Sequence, residues 1–312
     1  MKHDLPPTGA VRFLSNLYFS YIPNRKDNIK QILTKVFFLL SLLTLIVSAV
    51  YLSNYFLSAY RQDRILENSR RVWHAETTVS QSPEPTLIEK MLAENSDFKG
   101  WIRIAGTQVD NPFYQAADNA FYLTHNQKKE TSAYGALFLS AENSLTEEQT
   151  DQNLVIYGHN MKNGSMFGSL KKLRSLQLYK ASPVIEFSTL FRSSEYRIYA
   201  VFVLNAAKAD DNGYIYNIAR KSFRGEADFQ AWVNEAEKRS LIQTGVDVQP
   251  DDRIVTLITC ADDFENARLV VMARETRQGE APIDPEIATV NPSPQYPKRW
   301  YDDRGLTDPF LN

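Results

Sequence analysis

Between Val36 and Tyr60 no side chain carries a charge, and the run VFFLLSLLTLIVSAVYLSNYFL fills most of that interval. A helix rises about 1.5 Å per residue, so roughly 20 apolar residues cross a bilayer core of about 30 Å with every backbone amide satisfied internally. The segment predicts one transmembrane helix over 36–57. A buried core helix seldom keeps an apolar run beyond about 18 residues. A cleaved signal peptide would use Val47 and Ala49 as its small residues, but the run continues past them through Leu52, Tyr55 and Leu57, which favours an uncleaved anchor. Arg25, Lys26, Lys30 and Lys35 precede the span while Arg61, Arg64, Arg70 and Arg71 follow it. The count of positive charges therefore orients it only weakly.

The rest of the chain is long enough, within 312 residues, for one sizeable core. Lys and Arg total 35 against 37 Asp and Glu, so there is no basic field of the kind nucleic acids require. The one cysteine, Cys260, excludes an intrachain disulfide and a cysteine zinc site. His3, His74, His125 and His159 lack the short spacing that lets two imidazoles share a metal. Neither a metal nor another cofactor is expected.

Residues 1–35 read as a short polar arm and 58–97 as a stalk with packing helices, broken near Gln81 to Pro85 by Ser-Pro-Glu-Pro. From residue 98 the pattern changes to short runs rich in aliphatic, β-branched and aromatic residues. Candidate strands are 101–104, 137–139, 154–158, 184–187, 196–205, 253–259 and 268–274. So many strands with few intervening helices favour a mixed or antiparallel β-barrel, a mainly β fold with added helices. One late helix is expected in 222–241, where Phe229, Trp232, Val233 and Ala236 share a face. Residues 276–312 hold six of the chain's 14 prolines and show no period of either kind, so an extended tail is expected. Its aromatic residues Tyr296, Trp300, Tyr301 and Phe310 would pack on the domain or meet a partner.

Three segments carry candidate chemistry. Arg253-Ile-Val-Thr-Leu-Ile-Thr-Cys260 reads as a buried strand delivering a thiol at its end, and after a short polar turn Arg268 opens the next strand. Direct pairing would put thiol and guanidinium at one rim of the sheet. Leu154-Val-Ile-Tyr-Gly is a strand from which His159 emerges into a Gly-bearing polar loop. Singly each has a bland explanation: most free cysteines are small buried hydrophobes and most arginines are solvated. Secondary candidates are Thr259 beside the thiol, Asn160 beside the histidine, and Asp262, which would orient His159.

The segments Tyr-Gly-His159-Asn-Met, Thr-Leu-Ile-Thr-Cys260 and Asn-Ala-Arg268-Leu-Val-Val resemble the His, Cys and Arg motifs of sortases. Gly-His-Asn-Met-Lys-Asn-Gly-Ser-Met-Phe-Gly is similar to class B in particular, and the resemblance extends from about Phe98 to Arg274. It implies an eight-stranded sortase-type barrel over 98–275 and a cysteine transpeptidase, a thiol endopeptidase in its first step, with catalytic His159, Cys260 and Arg268. The implied setting is a Gram-positive cell membrane, with arm 1–35 cytoplasmic and the catalytic domain outside. Implied partners are a secreted protein with a C-terminal sorting signal and, as acceptor, an amine of a peptidoglycan precursor. Two alternatives stay open: a pilus polymerase using a pilin lysine as acceptor, and an inactive membrane-tethered scaffold. The proline-rich tail departs from the class B pattern.

Overall fold

The computed structural model describes residues 20–76, 84–208 and 213–310; most of the expected N-terminal arm and the first part of the expected helix break, 81–83, lie outside them. The chain divides into two compact units, residues 1–61 and 62–312.

In the first unit helix α1 begins at a reciprocal cap: the Gln31 amide donates to the Asn28 side chain and the Asn28 amide to the Gln31 side chain, both at 2.9 Å. Two amides with no partner inside the helix are thereby satisfied. α1 runs Ile29–Glu76, taking in the segment 36–57 and the first part of the expected stalk, because no Gly or Pro interrupts it. None of its apolar stretch is buried, and among the described residues it is the one helix long and apolar enough to cross a membrane.

In the second unit Gln62, Leu66, Ser69 and Trp73 are buried at spacings of three and four, one face of α1. Trp73 stacks on Trp101 with ring centres 4.9 Å apart. Helix α2 (Pro85–Glu94) has proline in its first turn, where no amide partner is lost, and buries Leu87 and Met91 on one face.

Eight strands close a barrel in the order β1-β2-β3-β4-β8-β9-β6-β5. They are β1 (Phe98–Arg103), β2 (Asp110–Tyr114), β3 (Leu137–Leu139), β4 (Asn153–Tyr157), β5 (Val184–Thr189), β6 (Ser193–Asn205), β8 (Ile254–Cys260) and β9 (Ala267–Glu275). The pairs β2–β3 and β4–β8 are parallel, and the other neighbours run antiparallel. β2 is the strand that sequence patterning did not show: Pro112, opposite Trp101, lies in its middle, and proline argues against a strand interior. The late helix is α5 (Glu226–Arg239), after two short helices α3 (Phe121–Thr124) and α4 (Leu176–Ala181). It buries the predicted stripe of Phe229, Trp232, Val233 and Ala236 against β6, β8 and β9. Each of the larger three contributes about 1.5–3 kcal/mol of burial.

Residues 276–310 are not a free extension. β10 (Thr289–Val290) pairs with the short strand β7 (Ile242–Gln243). The Asn291 and Gln295 amides donate to the Leu241 and Lys238 carbonyls, each at 3.0 Å. Helix α6 (Lys298–Asp302) buries Tyr301. The segment is fastened at its start by the buried Arg274 of β9, which holds the Glu280 carboxylate through both terminal nitrogens.

Candidate active site

The site forms where β8 ends between its two neighbours. On the β9 side Cys260 is in register with Arg268. The Ala261 amide donates to the Ala267 carbonyl at 3.0 Å, which makes 261/267 a hydrogen-bonded pair and Cys260/Arg268 the closer, non-hydrogen-bonded kind. Cα atoms in such pairs lie about 4.5 Å apart with both side chains on one face. On the β4 side Tyr157 is in register with Ile258, and the Gly158 amide donates to the Ile258 carbonyl at 3.2 Å. Gly158, one residue past the end of β4, keeps that pairing, and His159 follows it near the end of β8. The strand that ends in Cys260 thus lies between the strand that leads to His159 and the strand that begins beside Arg268, and Cys260 is exposed.

A buried polar lock holds the β4–β8 register. The Thr256 hydroxyl donates to the Asn153 side-chain oxygen at 2.7 Å, and the Asn153 amide donates to the Ile218 and Arg220 carbonyls at 2.9 and 2.8 Å. Both side chains are fully buried, so a slip of one residue would strand these groups without partners, at about 1–3 kcal/mol each.

His159 is oriented by a backbone group. Its Nε2 lies 2.7 Å from the Leu123 carbonyl. A carbonyl only accepts, so Nε2 is the ring nitrogen that carries a proton in this bond. Leu123 lies in α3, where the Asp118 carboxylate receives the Ala120 and Phe121 amides at 2.8 Å. α3 is fixed from below by Tyr122, whose hydroxyl donates to Asp97 and receives the Asn95 amide, at 2.8 and 2.9 Å. Burial, first of all, raises the Tyr122 hydroxyl well above its ordinary pKa. Gly135 makes the close approach possible: its φ is +59°, and a Cβ there would stand 2.4 Å from the Tyr122 carbonyl and 3.1 Å from the His159 ring. The loop after His159 folds back on itself, the Phe167 amide donating to the His159 carbonyl at 3.0 Å. A Cβ on Gly168 would meet the Met161 carbonyl at 2.1 Å.

Beside the thiol opens a cleft of about 240 Å³, walled by Thr259, Asn160, Lys171, Arg174, Asp263 and Arg304. His159 and Arg268 are not among the residues that line this hollow. The Thr259 hydroxyl is buried with no protein partner among the described residues. Asp262 meets Asn160 at 3.5 Å, while the bond that orients His159 comes from Leu123, so the role expected of Asp262 falls to a main-chain carbonyl. The Arg268 Nη1 donates to the Ala267 carbonyl at 3.0 Å, which holds the guanidinium at the rim. Arg174 and Asp263 form a two-armed ion pair at 2.8 and 2.9 Å. These two residues, 89 positions apart, had no signal in the sequence.

This closed barrel, with a thiol at the end of β8 between histidine and arginine strands, has a known counterpart. The sequence pattern of the family described as the sortase domain matches residues 102–276. Sortase B of Listeria monocytogenes is 32% identical over 214 residues, covering 67% of this chain and 83% of its own. Among solved structures, the complex of Bacillus anthracis sortase B with AAEK1 is similar at a TM-score of 0.62 and 27% identity, covering 72% of this chain and all of its own. Clostridium perfringens sortase B is similar at 0.54 and 36% identity, covering 61% and 99%. The chain belongs to the sortase family, and the relatives it resembles are sortase B proteins. Membership makes it a cysteine transpeptidase.

Proposed function

We propose that the protein is a membrane-anchored sortase that cuts a C-terminal sorting motif of secreted proteins and joins the new carboxyl end to an amine of the cell wall. The observation that supports this reading is the register at the end of β8, which pairs Cys260 with Arg268 while the neighbouring strand β4 leads into His159.

In the first half-reaction the Cys260 thiolate attacks the scissile carbonyl carbon, and the oxygen becomes an oxyanion. The Arg268 guanidinium donates to that oxygen, a task suited to a permanently charged planar fork. As the carbon–nitrogen bond breaks, the leaving amine takes the proton from His159 Nδ1, and a thioester on Cys260 remains. In the second half-reaction an acceptor amine attacks the thioester, gives its proton back to Nδ1 and expels the thiolate. One amide is exchanged for another. Water as acceptor turns the same sequence into endopeptidase action. The exposed apolar stretch of α1 supports anchoring across 36–57, and membership of the sortase family supports a barrel on the outer face.

Full-length protein in detergent, given a library of sorting peptides and an amine, is expected to release the motif's C-terminal part and yield the ligated product. Failure to cleave any member, together with a Cys260 thiol that resists alkylating agents, would overturn the reading in favour of an inactive scaffold.

A further inference from the structure

The C-terminal segment does more than cover the barrel: it supplies part of the cleft beside Cys260. Tyr296 and Trp300 stack with ring centres 3.9 Å apart and pack on Ala261, Phe264 and Ala267, the turn that joins the cysteine strand to the arginine strand. Tyr296 also lies beside Arg174. Burial raises its hydroxyl pKa, and the Arg174 charge opposes that rise. α6 then presents Arg304 to the cleft. Its guanidinium sits over the Trp300 ring at 4.2 Å, and Nη1 donates to the Trp300 carbonyl at 3.1 Å. An exposed arginine held at two points keeps a defined place and loses less side-chain freedom on binding.

The charges around the hollow are uneven. Lys171, Arg174 and Arg304 line it together with Asp262 and Asp263. Asp263 is engaged by both arms of Arg174, and Asp262 faces Asn160. Lys171 and Arg304 make no ion pair with a carboxylate among the described residues. The wall beside the thiol is therefore net positive, and its outermost planar fork comes from the tail.

We propose that Arg304, delivered by the C-terminal segment, is a specificity-determining residue that receives a substrate carboxylate beside Cys260. The inference rests on the reading of Cys260 as the nucleophile. The carboxylate belongs either to an acidic side chain of the sorting peptide or to the acceptor amine. A planar guanidinium suits it better than an ammonium, because both carboxylate oxygens can be engaged at once.

Two measurements on the full-length protein, wild type, Arg304→Gln and Arg304→Lys, test it. The first is the rate at which Cys260 reacts with an anionic and a cationic methanethiosulfonate. Loss of Arg304 is expected to lower the anion-to-cation rate ratio about threefold or more, with Lys restoring most of it. The second compares kcat/KM for peptides carrying Glu or Gln at successive positions around the scissile bond, and for acceptor amines with a free or amidated carboxylate. Wild type is expected to prefer the carboxylate form in one of the two series by about two- to fivefold. R304Q is expected to bring that preference towards unity through KM, and the series that responds identifies the source. An unchanged labelling ratio overturns the proposal, as does a lowered ratio in an enzyme indifferent to carboxylates. If wild type cuts no peptide, the transpeptidase reading falls first, and the labelling ratio alone still decides whether Arg304 faces the thiol.

Discussion

Gly135 is far from Cys260 in sequence, yet replacing it should damage the site more than the fold. At φ +59° an alanine occupies the left-handed region, which costs a non-glycine residue about 1–2 kcal/mol. Gly279, at φ +73° with nothing within 4 Å of the place an added methyl group would take, measures that conformational term alone. At Gly135 the added Cβ also falls 2.4 Å from the Tyr122 carbonyl and 3.2 Å from the Leu123 carbonyl, the first roughly an ångström short of ordinary contact. Tyr122 is held by Asp97 and Asn95, so α3 yields through its exposed side, where Leu123 accepts from His159 at 2.7 Å. Gly135→Ala is thus expected to lose about 2–4 kcal/mol, or about 5–10 °C in Tm by tryptophan fluorescence. Its kcat/KM is expected to fall about ten- to a hundredfold, the loss typical of an ångström-scale misplacement. Gly279→Ala should lose only the conformational part and keep its rate. A Gly135→Ala enzyme as fast as Gly279→Ala would refute the idea that this glycine protects the orientation of His159.

Arg268→Lys keeps the charge but not the fork, and a fall in kcat/KM of about a hundredfold or more is expected in a peptide cleavage assay, whereas a near-normal rate would remove the oxyanion role. Asn153→Ala leaves the Thr256 hydroxyl and two carbonyls without their partner, and denaturant unfolding should show a loss of about 2–3 kcal/mol. Glu280, paired with Arg274, has its pKa pushed down to about 2. Its unfolded value is about 4.3, so its stabilising contribution is complete above that pH and disappears as pH falls through about 2. Glu280→Gln should therefore flatten the loss of stability between about pH 4.5 and 2 in an acid titration followed by fluorescence.

The sequence carried most of the barrel because its strands are rich in β-branched and aromatic residues: β4, β8 and β9 lie within a residue of their expected bounds, and β6 ends where expected but begins three polar residues earlier, at Ser193. β2 was hidden by Pro112, and the C-terminal elements by their shortness, since a two-residue strand has no period to read. The pairing of Cys260 with Arg268 was legible because a short turn joins their strands. His159 was different: its place follows from a parallel pairing between segments about a hundred residues apart, fixed by the buried Asn153–Thr256 contact. The Leu123 carbonyl that orients it could not be found at all, because a main-chain group leaves no residue type to notice. Arg304 shared that obscurity, lying in a segment whose composition suggested only an extended tail.

The most direct test is to trap the thioester. When full-length protein is incubated with an intact sorting peptide that it cleaves, acid-quenched and digested, mass spectrometry should find the peptide's N-terminal part on the fragment bearing Cys260, released by hydroxylamine or by an acceptor amine. Cys260→Ala should carry no adduct. An adduct on another residue, or cleavage that persists in Cys260→Ala, would contradict the account.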